Sequence, residues 1–302
     1  MGWECVSSRL TGALLLAMLS SCVPQGRPAA IPAPAPVPAP PAVKVAKPEG
    51  RLTFLLVGDA RQGAVMRGTA PGGTRRLTFN GVEISVTDKG EFIIAFDRDA
   101  ESHAVLRAER SDGSVVTQDI PVRPGEWRIE NVDASPTANI PSAAFVARRK
   151  PELERIAAAR AINAQSDGWR QAFRWPATGR ISGLFGAQRI YRGTPGSYHG
   201  GVDVVAPAGT PFVAPADGVV VLAAEQPFTL EGYLLIIDHG MGLNSAFLHC
   251  SSLAVKEGDV VRQGQVLGRI GATGRATGPH LHWSMKWRDA RLDPATLAGP
   301  MP

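Results

Sequence analysis

Apolar positions along this chain change rhythm several times, and each rhythm predicts a different element. The first is an unbroken apolar run, Ala13–Leu19, which follows the single basic residue Arg9. It falls far short of the roughly 20 residues a spanning helix needs. Residues 24–48 then hold nine prolines interleaved with alanine, a pattern that favours extended polyproline II at about 3.1 Å per residue. From Arg51 to about Asp133 short alternating runs predict strands: 51–58, 75–87, 91–97, 103–109 and 114–122. Asn80-Gly81, Asp88-Lys89-Gly90 and Ser111-Asp112-Gly113 supply the tight turns between them. The expected architecture is a small antiparallel sandwich. Residues 151–165 predict a helix with Pro151 at its first position and a narrow apolar face of Leu153, Ile156, Ala157, Ala161 and Ile162. From Trp175 the chain is again strand and turn. The predicted organisation is a leader (1–21), a proline-rich linker (22–48), an N-terminal β-sandwich (49–140), a linking helix (141–168) and a C-terminal β domain (169–302).

Composition narrows this picture. Apolar residues make up 44% of the chain, which excludes a wholly disordered protein, and 33 Gly with 25 Pro argue against long helices. The net charge of +5 is spread without a basic stripe, so no nucleic-acid partner is expected. Of the three cysteines, Cys5 lies in the leader and Cys250 stands alone, so no disulfide framework is available. The run Leu19-Ser20-Ser21-Cys22 resembles a bacterial lipobox. That resemblance implies a lipoprotein signal peptide and an acylated Cys22, hence a membrane partner through the lipid.

The histidines carry the chemistry. Five of the six lie in the C-terminal part. His199 and Asp203 are four apart and would share a face if they sat on one strand; His280 and His282 are two apart and would share another. His249 ends the apolar run 244–249, with Phe247 expected on its own face. Zn²⁺ takes imidazole nitrogen and carboxylate oxygen, and a catalytic site keeps three protein ligands and an open position. The two pairs offer three ligands and one spare imidazole. His103, in the N-terminal half, is expected to be an exposed turn residue; Asp97, Asp99 and Glu101 beside it read as a solvated loop.

The stretches WPATGRISGLFG, YHGGVDVVAPAGTPFVAPADGVVV, LLIIDHGMGLNSAFLH and GATGRATGPHLHW resemble, in order and spacing, the lysostaphin/LytM-type zinc endopeptidases. These cleave peptide bonds in bacterial peptidoglycan. The likeness covers about 120 residues, Trp175 to Pro294. It implies a mostly β, antiparallel catalytic domain of the duplicated-hybrid-motif kind with a groove over a zinc ion. His199, Asp203 and His282 would be ligands, and His249 and His280 the unligated catalytic pair. One imidazole would move a proton between water and the departing amine, while the other donates a hydrogen bond to the oxyanion. Tyr191 is the preferred additional oxyanion or substrate contact, since Tyr198 adjoins His199 and should face away. Cys250 is expected to pack in the interior, and His239 to be structural, at the edge of the groove. The glycines of GATGRATG would let an extended peptide approach.

Two rivals have other chemistry. The run 255–271 has the rhythm of biotinyl and lipoyl carriers, but no lysine sits at its hairpin tip. A non-hydrolytic relative that binds cell wall and activates an amidase is the alternative; the five filled positions weigh against it. The expected protein is a lipid-anchored peptidoglycan hydrolase. Val23, rather than Asp, follows Cys22, which places it on the periplasmic face of the outer membrane of a two-membrane cell. A D-alanyl–diaminopimelate cross-link would be its bond there, with divisome or cell-wall enzymes as partners.

Overall fold

Left-handed turn residues fold the first half of the chain into two antiparallel sheets. The computed structural model describes residues 50–135 and 141–302; the leader, Cys22 and the proline-rich stretch lie outside them. Asn80 (φ 49°) and Gly81 (φ 80°) close the hairpin between Thr74–Phe79 and Val82–Glu83, as a two-residue primed turn requires. The four-stranded sheet runs Val82–Glu83, Thr74–Phe79, His103–Arg110, Val115–Pro121. The three-stranded sheet runs Leu55–Gly58, Val65–Thr69, Glu91–Ala95. Its central strand, Val65–Thr69, lacks clear alternation and is not foreseen by the pattern. The reason is Gly68, where an added Cβ would overlap the ring of fully buried Phe92. His103 opens a strand rather than occupying a turn, and it is exposed.

The second half is built on an eight-stranded antiparallel sheet. Its order is Val260–Val261, Gly218–Ala223, Tyr233–Asp238, Leu243–Cys250, His280–Trp287, Val202–Val205, Arg180–Gly183, with Ala290–Leu292 also paired to His280–Trp287. A small sheet of Pro211–Val213, Val266–Arg269 and Ser252–Leu253 packs beside it. The strand His280–Trp287 alternates half-buried and buried positions without a break. Leu281, Trp283, Met285 and Trp287 point into the core, and His280, His282, Ser284 and Lys286 share the other face.

The helix α1 (Ala143–Ala161) lies on that second face. It begins eight residues before the expected start, because the Ser142 hydroxyl caps it by accepting from the Phe145 N–H at 3.1 Å. Pro151 therefore sits inside the helix, not at its first position. Ile156 and Ala159 pack on Val221, Phe228, Leu234 and Ala246. Leu153 and Ile162, expected in the buried face, are about half exposed. Polar contacts fix the helix instead: Arg149 donates two hydrogen bonds of 2.6 Å to Glu231, and Glu152 accepts from the Thr229 N–H and hydroxyl.

The two halves share one apolar core, which joins Leu77, Phe92, Ile94 and Leu106 to Trp169, Trp175, Phe247 and Trp283. Phe79 meets Trp287 edge-on at 6.0 Å. Arg67 donates to the carbonyls of Trp169 and Gln171, and Asp97 accepts from the Arg291 N–H at 2.7 Å. Asp97, expected in a solvated loop, thus ties the halves together. Ile129–Val132 also pairs in parallel with Gln188–Tyr191. Residues 51–135 are therefore fused to the second half rather than tethered to it.

A shared core predicts shared unfolding. Phe92→Ala should cost about 3–5 kcal/mol and lower the denaturant midpoint read by tryptophan fluorescence, although the buried Trp169, Trp175 and Trp283 all lie in the other half. A biphasic curve with the tryptophan transition unmoved would overturn the shared core.

Candidate metal centre

Strand register brings the charged residues together. Asp203 stands directly opposite His282, because Val202–Val205 pairs antiparallel with His280–Trp287. Directly opposite side chains on one face lie about 5 Å apart at Cβ, and here the Asp203 carboxylate reaches His282 Nδ1 at 2.8 Å. His199 arrives differently. It precedes the strand, so the expected face-sharing of positions four apart along one strand does not apply. The turn through Gly200 and Gly201 swings it back, placing Nε2 3.2 Å from Asp203 and 3.1 Å from His282 Nδ1. One donor atom from each of His199, Asp203 and His282 lies within 4.8 Å of the others.

Three of the four imidazoles are aimed by a backbone carbonyl, and His282 by Asp203. His199 Nδ1–H donates to Leu184 at 3.0 Å, which leaves Nε2 facing Asp203 and His282. His249 Nδ1–H donates to Thr273 and His280 Nδ1–H to Gly278, both at 2.8 Å. Such contacts fix the tautomer and leave the second nitrogen free. The His249 and His280 rings lie 4.9 Å apart, beside the cluster. His249 does not share the face of Phe247. Its φ of 64° breaks the alternation, so Phe247 packs into the core against Phe212 while the imidazole turns to His280. That conformation is unusual for a side chain with a Cβ and is held by tertiary contacts. Thr273 supplies them: its carbonyl receives His249, and its hydroxyl bonds the Cys250 carbonyl and the Tyr233 N–H.

The electrostatics follow from burial and this pairing. Burial pushes the Asp203 pKa up, but hydrogen bonds and charge from His199 and His282 outweigh it, and the group stays well below the usual carboxylate range. His282 is shifted down because burial outweighs its Asp203 partner. His249 is shifted down by burial and by the neighbouring imidazoles. Burial also works against the His199 cation, yet the Asp203 carboxylate leaves its pKa raised. An ionised carboxylate facing two aimed nitrogens draws positive charge, and two nitrogens with one oxygen suit a borderline-soft divalent ion. The donor set fits a metal.

Among the other expected residues, Tyr191 lines the same depression of about 600 Å³ as His199, with Gly183, Leu184 and Arg275. The Tyr198 ring is occupied by Arg98 and Arg291, at 4.7 and 5.3 Å, and by Phe185. Cys250 is fully buried, and burial pushes its thiol up to about 12. His239 is buried completely and does not border the groove; Nδ1–H donates to the Asp217 carbonyl and Nε2 accepts from the Ser245 hydroxyl. Gly271 and Gly274 serve packing rather than an incoming peptide, since an added Cβ would overlap residues 249–251 and 230–232. Gly183, Leu184 and Thr273 escaped notice in the sequence, because each acts through backbone or through missing bulk; Gly278, expected only to admit a peptide, also orients His280 through its carbonyl. A larger recess, about 700 Å³, is lined by Phe79, Phe96 and Trp287 and by none of the clustered residues.

Residues 197–294 match Peptidase family M23. Peptidoglycan DD-endopeptidase ShyA of Vibrio cholerae is 39% identical over 123 residues, 39% of this chain and 28% of that protein. DD-carboxypeptidase/endopeptidase Mpg of Neisseria meningitidis is 38% identical over 104 residues, 34% of this chain and 24% of that protein. The chain thus spans about a quarter of the length of these relatives. A crystal structure of a peptidase M23 from Pseudomonas aeruginosa superposes with a TM-score of 0.62 at 28% identity, covering 80% of this chain and 96% of that one. That likeness extends well beyond the family segment, so the N-terminal sheets belong to the shared fold.

Two measurements probe the centre. An added Cβ at Gly183 would overlap the Asp203 carboxylate, so Gly183→Ala should weaken divalent-metal binding at least tenfold with an unchanged circular dichroism spectrum; undiminished affinity would refute the close fit. Burial holds the His239 imidazole at about 4 instead of 6.5. As pH falls through 6.5 the unfolded chain takes up a proton that the folded chain refuses until about pH 4. Stability should therefore decline across that window by up to about 1.4 kcal/mol per pH unit. His239→Asn should flatten this slope in denaturant titrations, and an unaltered slope would contradict it.

Proposed function

We propose that this chain, which carries a Peptidase family M23 domain in residues 197–294, is a zinc-dependent endopeptidase that hydrolyses peptide bonds of peptidoglycan stems or cross-links. The observation that carries this reading is the joint presence of a three-donor cluster and two further imidazoles beside it, each held by Nδ1–H on a carbonyl, with His280 Nε2 3.7 Å from Asp203. The names of the relatives, both peptidases of this kind, support the substrate class.

His199 Nε2, Asp203 and His282 Nδ1 would hold the zinc, leaving a fourth position open. When bound, the ion supplies Lewis acidity to a carbonyl and acidity to a water. The chain's own residues do the rest. His249 and His280 each keep Nδ1–H on a carbonyl, so each presents Nε2 as a proton acceptor when neutral and as a donor when protonated. One takes the proton of the attacking water and passes it to the leaving amine; the other donates to the oxyanion. Depression of the His249 pKa by burial keeps this imidazole neutral and able to accept at neutral pH. That Tyr191 lines the depression beside His199 supports it as a substrate contact. The lipobox-like run ending at Cys22 supports anchoring by acylation, and Val23 after it supports the outer membrane's periplasmic face.

Asp203→Ala and His282→Ala should lose bound zinc, whereas His249→Ala should keep zinc and lose turnover by two or more orders of magnitude. The assay is metal content together with release of muropeptides from purified sacculi by the full chain in mild detergent, with and without chelator. Equal zinc loss in all three variants would overturn the division of roles. A zinc-replete, folded protein that leaves sacculi intact would favour the non-hydrolytic, amidase-activating alternative.

A further inference from the structure

Beyond the cluster, the face of His280–Trp287 that carries His280 and His282 continues through Ser284 to Lys286. At about 6.8 Å per two residues, Lys286 lies roughly 14 Å along the strand from His282, a span of about four residues of extended peptide. Helix α1 stands over this stretch, and between them is a recess of about 680 Å³ that reaches Gly200, the neighbour of His199. Leu153, Ile156 and Ala157 form its apolar wall. This is why the expected apolar face of the helix is only partly packed.

The recess is basic. Arg160, Lys286, Arg288 and Arg291 all line it, with Asp289 as the single acidic lining residue among those described. Among the described residues none of the four cations makes an ion pair within 4 Å. Arg160 is the most telling: its Nη1 is buried and has no hydrogen-bond partner among the described residues. The carboxylate whose charge acts on Arg160, Glu231, is engaged by both terminal nitrogens of Arg149. A buried guanidinium nitrogen without an acceptor is costly, and burial together with Arg291 lowers the Arg160 pKa to about 10. Such an arrangement calls for an anion. A guanidinium matches a carboxylate in planar, two-point fashion, with the Lys286 ammonium as a further donor.

We propose that this recess is a subsite for a free carboxylate of the peptide substrate, with Arg160 and Lys286 as its binding residues. The proposal rests on the peptidase reading for its substrate class. An extended peptide crossing the metal cluster would run on beneath α1 and place an anionic group, a few residues from the reacting bond, against these two cations. Helix α1 then acts as a wall that selects acidic peptides as well as a link between the two halves.

The test separates binding from turnover. Calorimetry on the full chain would compare a stem tetrapeptide carrying its free carboxylates with the same peptide fully amidated. Muropeptide cleavage would be followed in parallel on native and amidated substrates. The acidic peptide should bind about tenfold or more tightly, as loss of one charge-assisted hydrogen bond implies. Arg160→Gln and Lys286→Met should each shrink that preference, and the double variant should abolish it. The variants should raise KM for the native substrate with kcat within about twofold, and Arg160→Lys should restore part of the preference. Equal affinity of wild type for both peptides would overturn the proposal, as would variants that weaken both peptides alike. A carboxylate preference without turnover by wild type would leave the subsite standing and remove the peptidase reading.

Discussion

The cross-strand pairing of Asp203 with His282 is the constraint on which the centre depends. It sets a carboxylate against an imidazole on a surface where the register cannot slip by one residue without exchanging faces. Leu281 and Trp283 on one side, and Val202 and Val204 on the other, are buried almost completely. Sliding either strand would bury the polar set and expose the apolar one. The geometry of the donors is therefore guaranteed by the same core that stabilises the sheet.

Around that pair the remaining groups are placed by backbone atoms. Carbonyls of Leu184, Thr273 and Gly278 each take one imidazole N–H, so the backbone orients the Nδ1 side of three rings. This economy has a structural consequence. The loop 271–278 must pack tightly against 230–232 and 249–251 to carry the Thr273 carbonyl to His249, and Gly271 and Gly274 serve that packing. His249 in turn adopts a left-handed backbone that only such contacts sustain. Preorganisation at the centre is a property of the loop and strand together.

The N-terminal half contributes more than mass. Its core is continuous with that of the second half, Ile129–Val132 pairs in parallel beside the strand bearing Tyr191, and Asp97 pins the backbone of Arg291. Helix α1 covers the opposite flank through Arg149 and Glu152. The groove over the cluster is thus walled by segments from outside the M23 segment on both sides. The superposition with the P. aeruginosa structure over 80% of the chain is in keeping with this fusion.

The sequence by itself determined the β character of both halves, the hairpin turns at Asn80-Gly81 and Ser111–Gly113, and the identity of the clustered residues. Alternation and left-handed turn residues are local, and the clustered His and Asp residues are named through the resemblance of their motifs to the lysostaphin/LytM-type endopeptidases. Tertiary structure decided what local pattern could not. The strand Val65–Thr69 owes its glycine to a ring on another strand, and α1 begins at a cap whose apolar signal is too weak to show. His199 reaches the cluster from a loop, and His249 turns toward it against alternation, because distant carbonyls and close packing outweigh periodicity. The unpaired state of Arg160 is equally invisible in one dimension: whether a charge has a partner depends on what the fold brings beside it.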